Sequence, residues 1–283
     1  MAAWDNMVKS LRSAKKGELK IGIIGKYLAT GSYELIDSYA SLNDALAHAS
    51  IHQHLRTKIV WINSEQLEKL SKKEIDTVLS KLDAIIVPIG WGPRGVEGKI
   101  KAISYARTHK VPYLGLCYGM QLASVEYARN VLGLKDANST EVNPNTQHPV
   151  IYSIPFDKKY QKIKSTGVSM RLGAYDCVLK EGTLAHKIYS ENNSFKDAQK
   201  GLISERHRHR FEFNNAFRKQ FEDAGFVISG TSPDDFFVEV IELPKKVHPF
   251  FIATQGHPEY KSRPLHPHPI FTEFLKAAYS KKT

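Results

Sequence analysis

Tyr113-Leu-Gly115-Leu-Cys117-Tyr118-Gly119-Met-Gln121 is the stretch on which the fold turns. A short apolar run enters Gly-x-Cys-x-Gly and passes directly into a helical segment, so Cys117 stands at a strand–helix junction. This is the nucleophile-elbow arrangement with Cys where Ser is more familiar. The small flanking glycines permit a tight turn that pushes the side chain out at the carboxyl edge of a sheet. The helix that follows offers free N–H groups and the positive end of its dipole, which favours a thiolate. The N–H of Tyr118 is a natural donor to an oxyanion. An unpaired cysteine is more often an inert packing residue, but the two glycines at this junction favour a nucleophile.

Outward from the elbow, short apolar runs alternate with longer amphipathic stretches. Leu19–Gly25, Lys58–Ile62, Ala84–Pro88 and Tyr113–Leu116 read as strands, each nearly continuous in apolar residues as in a parallel sheet buried on both faces. The spacing predicts helices over Ser41–His54, Glu65–Leu82, Val96–His109 and Met120–Leu132. Downstream, Glu141–Ser153 reads as loop and Ser169–Leu179 as a strand. Phe226–Gly230, Phe237–Leu243 and Phe250–Thr254 read as later strands of an antiparallel kind, and Pro269–Ser280 as a closing helix. The fold class is therefore α/β: a doubly wound, mainly parallel central sheet with a mixed or antiparallel extension.

Composition narrows the function classes. The chain has 283 residues, 42% of them hydrophobic and 24% charged, as in a globular protein. No apolar run has the length of a membrane span. Two cysteines, Cys117 and Cys177, make no disulfide framework, which points to a reducing, cytoplasmic setting. The formal charge of +11 raises nucleic acid as a partner. However, residues 1–20 carry +3 and residues 261–283 carry +4, leaving only +4 on the long segment between them. Arg206-His-Arg-His-Arg210 lacks the interleaved aromatics that stack bases, so nucleic acid is an unlikely partner. The His-x-His pairs 52/54, 207/209 and 266/268 each lack a third ligand at a familiar spacing, so no metal site is expected.

A cysteine nucleophile needs a base, and the base an orienting acceptor. Gly256-His257-Pro258-Glu259 follows an apolar run and supplies both, because side chains two apart in extended chain point the same way. With this pair the sequence resembles the class I, Cys-His-Glu, glutamine amidotransferases, and within them the glutaminase domain of the CTP synthase family. The resemblance rests on Ile23–Tyr27, Arg94–Gly98, Gly115–Gln121, Asp136–Glu141, His148–Ile151, Met170–Tyr175, Glu205–Arg210 and His257–Pro264 and covers essentially the whole chain.

The resemblance implies that Cys117 attacks the side-chain amide of L-glutamine, that His257 moves protons and that Glu259 orients it. It also implies that Gly90, Tyr118, Gln121, Glu141 and Arg210 hold the substrate. Glu141 suits the α-ammonium and Arg210 the α-carboxylate. Ammonia would then pass to a CTP synthetase domain or subunit that aminates UTP. ATP and Mg belong to that partner, and no cofactor is expected in this chain, which has no Gly-x-x-x-x-Gly-Lys-[Ser/Thr] loop. Residues 1–18 read as a linker helix, with Trp4, Met7, Val8 and Leu11 at helical spacing, and 19–283 as the amidotransferase domain.

Three positions depart from the family pattern, all near the glutamine site. Pro88-Ile89-Gly90-Trp91-Gly92-Pro93 carries Ile89 where the family has glycine, Tyr118 replaces a common Leu, and Gly256 replaces an aromatic. A β-branched residue at Ile89 is strongly disfavoured if its φ is positive. This motivates an alternative expectation: an impaired or altered-specificity glutaminase-like subunit that binds and regulates a synthetase partner.

Overall fold

The computed structural model describes residues 2–12, 17–26, 38–153 and 170–283, with the backbone alone at 29–30, 33–34 and 36–37. Strands are numbered β1 (Glu18–Gly25), β2 (Arg56–Asn63), β3 (Ala84–Val87), β4 (Tyr113–Leu116), β5 (Asn138–Ser139), β6 (Pro149–Ser153), β7 (Arg171–Leu179), β8 (Leu202–His209), β9 (Phe211–Phe213), β10 (Val227–Thr231), β11 (Val238–Glu242) and β12 (Phe251–Thr254). The helices are α1 (Ala2–Arg12), α2 (Ala40–His52), α3 (Ser64–Lys69), α4 (Lys72–Leu79), α5 (Val96–Thr108), α6 (Tyr118–Asn130), α7 (Leu184–Glu191), α8 (Arg218–Asp223) and α9 (Pro269–Lys282).

One sheet runs through the molecule in the order β8-β7-β10-β11-β12-β4-β3-β1-β2. From β2 to β12 the pairing is parallel, and from β12 to β8 it is antiparallel. Apolar side chains alternate between its faces. Ile85 and Val87 join a core with α5 and α6, whereas Ala84 and Ile86 join one with α2 and α9. The expected α/β class, with its antiparallel extension, is what the chain adopts. A small sheet, β9-β6-β5, lies beside it.

Three expectations need correction. Phe251–Thr254 is parallel to β4, with Thr254 beside Leu116, and antiparallel only to β11. Its run of four buried residues suits either neighbour, so its direction could not be read locally. The helix expected over Glu65–Leu82 is two helices. Leu70 is extended (ψ 142°), and Ser71 opens α4 through a capping box with Glu74. Part of the expected 141–153 loop is strand β6, paired with β9. Residues 206–209 of the basic run lie on β8, whose Glu205, His207 and His209 point inward while Arg206 and Arg208 face solvent, and Arg210 follows the strand. The helices α7 and α8 were not anticipated.

α1 is helical as expected and touches α2, but none of its residues is buried. The rest of the expected 1–18 linker falls partly on residues 13–16, outside the described residues. No described helix is long and apolar enough to cross a membrane.

Candidate active site

The parallel pairing of β4 with β12 is what assembles the site. Cys117 follows β4 by one residue and His257 follows β12 by three, so both emerge at the same carboxyl edge. Close packing of the elbow explains its glycines. A Cβ on Gly119 would lie 2.0 Å from Val87 O, and one on Gly115 would lie 2.7 Å from Ala253 Cβ. Cys117 itself has φ 54° and ψ −100°, a conformation that costs a non-glycine residue on the order of 1–3 kcal/mol. The turn is held by Cys117 N–H donating to Thr254 O (2.8 Å) and by Met120 N–H donating to Cys117 O (3.0 Å). Tyr118 and Gly119 open α6, where N–H groups have no intrahelical acceptor.

His257 is fully buried, and its Nδ1 lies 2.7 Å from Glu259 Oε1. Its ring stacks on Tyr260, with centroids 4.9 Å apart, and its backbone N–H donates to Arg206 O on β8 (2.7 Å). Burial alone lowers the imidazole pKa, but the Glu259 carboxylate and the Cys117 sulfur outweigh it and raise the value well above the usual 6.5. The arrangement thus favours the imidazolium form of His257. Cys117, His257 and Glu259 are brought together at this edge.

The remaining candidates surround this edge. Glu141 accepts from Gly92 N–H at 2.8 Å, and burial pushes its carboxyl above the usual range. Arg210 is exposed at the end of β8 and lies near enough to Glu141 to act on it electrostatically. Gln121 is buried. Its amide nitrogen donates to Phe211 O (2.9 Å) and to Gln255 Oε1 (3.2 Å). Gly90 is enclosed by Lys26, Tyr118 and Lys99, which a Cβ there would meet at 2.8, 3.0 and 3.2 Å. Ile89 has no positive φ and packs on the α2 and α9 side of the core, so the backbone strain considered for it does not arise.

Sequence reasoning missed Gln255, which is fully buried and whose amide nitrogen lies 3.5 Å from Cys117 Sγ. Its signal was its place directly after a strand ending at the same edge as Cys117, visible only once β12 is known to be parallel. It also missed Lys99, buried with its amine 3.1 Å from Pro88 O. Burial, and then the charge of Lys26, hold that amine well below its ordinary pKa. Burial likewise lowers Lys26 to about 8.

Two large cavities lie elsewhere. One of about 500 Å³ is lined by Lys58, Trp61 and Leu70, and one of about 1170 Å³ by α7 and α9 residues. Neither includes the triad. Among the described residues no group of three or more His, Cys, Asp or Glu is arranged to hold a metal ion.

Comparison with known proteins identifies the family. The family "Glutamine amidotransferase class-I" matches residues 34–277. CTP synthase of Carboxydothermus hydrogenoformans is 51% identical over 98% of this chain and 48% of that protein. The Bacillus subtilis enzyme is 46% identical, with the same coverage. The chain thus spans about half the length of the curated relatives it matches. Among solved structures, the Trypanosoma brucei CTP synthase glutaminase domain with bound acivicin superposes with a TM-score of 0.80 at 36% identity, covering 93% of this chain and 94% of that one. A fold with this elbow, matched along nearly its whole length by that domain, makes the chain a member of the class I glutamine amidotransferase family, in the branch of the CTP synthase glutaminase domains.

Proposed function

We propose that the chain hydrolyses L-glutamine to glutamate and ammonia through Cys117, His257 and Glu259. The observation that carries this reading is the buried 2.7 Å contact of Glu259 with His257, beside a cysteine at a strained strand–helix turn. The Cys117 thiolate attacks the side-chain amide carbon, forming a C–S bond and moving the carbonyl electron pair onto oxygen. The N–H groups of Tyr118 and of the 88–92 loop receive that oxyanion. Imidazolium His257 gives its Nε2 proton to the amide nitrogen, the C–N bond breaks, and ammonia leaves a γ-glutamyl thioester. His257 then takes a proton from water as the water attacks the thioester. Glutamate departs and the thiolate returns.

Glu141 and Arg210, of opposite charge and close together, suit the two α-substituents of the substrate. Gln121 acts through its hydrogen bonds to Phe211 and Gln255, and Gly90 through its backbone. In this reading 1–18 is the linker and 19–283 the amidotransferase domain. Ammonia serves a CTP synthetase domain or subunit that aminates UTP with ATP and Mg. The alternative of an impaired subunit rested on Ile89, Tyr118 and Gly256 together, and the non-positive φ at Ile89 removes only the backbone-strain argument at that position.

Incubation with 6-diazo-5-oxo-norleucine, followed by mass spectrometry, should place an adduct on Cys117, and glutamine should yield ammonia. Cys117→Ala should abolish both signals and keep the fold. Absence of both adduct and ammonia from the unsubstituted protein overturns the reading.

A further inference from the structure

Three backbone carbonyls of the 88–92 loop, those of Pro88, Trp91 and Gly92, are met by side-chain donors from other elements. Lys99 on α5 donates to Pro88 O, Lys26 after β1 donates to Trp91 O and to Gly92 O (3.0 Å), and the Tyr118 hydroxyl donates to Gly92 O at 2.8 Å. On the other side of the same residue, Gly92 N–H donates to Glu141 at 2.8 Å. Only one of these donors sits on the residue next to Cys117. The Tyr118 ring is itself buried, with the Lys26 and Lys99 amines 5.3 and 5.5 Å from its centroid. It also walls the space at Gly90, where a Cβ would approach it to 3.0 Å.

We propose that the Tyr118 side chain is a positioning residue whose hydroxyl and ring tie the 88–92 loop to the nucleophile-bearing helix α6. The inference rests on the glutaminase reading, in which that loop lends N–H groups to the reaction. A segment containing Gly90 and Gly92, the latter at φ 67°, has many alternative conformations to lose on ordering. Donors already aimed before substrate arrives need no reorganisation during the reaction. Tyr118 carries this out from the first residue of α6, so the oxyanion donors on the loop and on the helix move as one body. Glu141 joins the same residue through its N–H, which links the expected ammonium subsite to the loop through Gly92. An aliphatic residue at 118 has no group that reaches the Gly92 carbonyl in this way.

Two substitutions test this, and both keep the residue 118 N–H. Tyr118→Phe removes the hydroxyl alone, and Tyr118→Leu removes hydroxyl and ring. Hydrogen exchange of the 88–95 segment reads the tie directly. Saturation kinetics of Cys117 labelling by 6-diazo-5-oxo-norleucine read its consequence. In Tyr118→Phe, exchange at Gly90 and Gly92 should rise about tenfold, the scale of one lost hydrogen bond. The maximal labelling rate should fall by a similar factor while half-saturation and melting temperature stay nearly constant. Tyr118→Leu should extend both changes. Unaltered exchange in both variants overturns the proposal, as does a defect confined to half-saturation. If the unsubstituted protein takes no label, the glutaminase reading fails, and the exchange comparison still decides the tie.

Discussion

At Cys117 the backbone and the side chain have opposed requirements. The thiol must project from the sheet edge, and doing so holds a Cβ-bearing residue at φ 54°. The flanking glycines relieve crowding around it but do not remove its own strain, so the surrounding hydrogen bonds must hold the turn. His257 is subject to a similar opposition, since burial works against its charge and Glu259 with Cys117 works for it. Removing the carboxylate takes away the main stabiliser of imidazolium and the group that orients the ring. Glu259→Gln should lower glutamine hydrolysis by about 10²–10⁴, measured as ammonia release. Its stability effect has a definite sign. The His257 pKa is raised on folding, so this contribution is complete below about 6.5 and disappears as pH rises through the folded value. Denaturant titrations should show Glu259→Gln losing more stability at pH 6 than at strongly alkaline pH, and an equal loss at both would contradict the assignment.

The elements that meet at the elbow leave little tolerance. β3, β4 and β12 run parallel beneath α6, and Gly119 lets the first turn of that helix approach Val87. Gly119→Ala would place a methyl group 2.0 Å from a backbone oxygen, where no flexible side chain can yield. We expect a loss of about 1–3 kcal/mol or more from overpacking, together with displacement of α6 and slower Cys117 labelling. Gly133→Ala is a control for glycine loss away from the site, since its Cβ would meet nothing within 4 Å, although its positive φ carries a strain of its own. β8 shows why a charged run can be structural. Read at period two, Glu205, His207 and His209 form an inward face, and the exposed arginines alternate with them.

Across the molecule, a buried ionic cluster joins the antiparallel half of the large sheet to the small sheet. Arg171 on β7 donates to Glu212 on β9 (2.9 Å) and to Glu239 on β11 (2.6 Å), and its guanidinium lies 4.4 Å from the rings of Tyr175 and Phe237. His209 lies 2.6 Å from Glu212. Burial, and then the Arg171 charge, hold His207 and His209 well below the usual imidazole pKa, so both are neutral. Burial raises Glu212 and Glu239 despite the arginine. Arg171→Met would strand two buried carboxylates, at a cost of about 3–5 kcal/mol near neutral pH. A carboxyl group raised on folding contributes stability below its ordinary pKa and loses it as pH climbs through the folded value. The deficit of Arg171→Met should therefore shrink between pH 8 and pH 5.5 in denaturant titrations.

The candidate nucleophile, its candidate base and the alternating α/β pattern were legible along the chain because each depends on local chemistry. Glycines around Cys117 announce a tight turn, His257 and Glu259 are two residues apart, and apolar runs of strand length recur between amphipathic helices. Gln255, Lys99 and the role of the Tyr118 hydroxyl were not legible, because each acts on residues distant in the sequence. The direction of Phe251–Thr254 also depends on which strand lies beside it, and four buried residues carry no mark of that neighbour. Residue types and short-range spacing thus specify which groups can react. Whether Cys117 and His257 share one edge, and which donors hold the 88–92 loop over them, follows only from strand pairing and close packing between elements far apart in the chain.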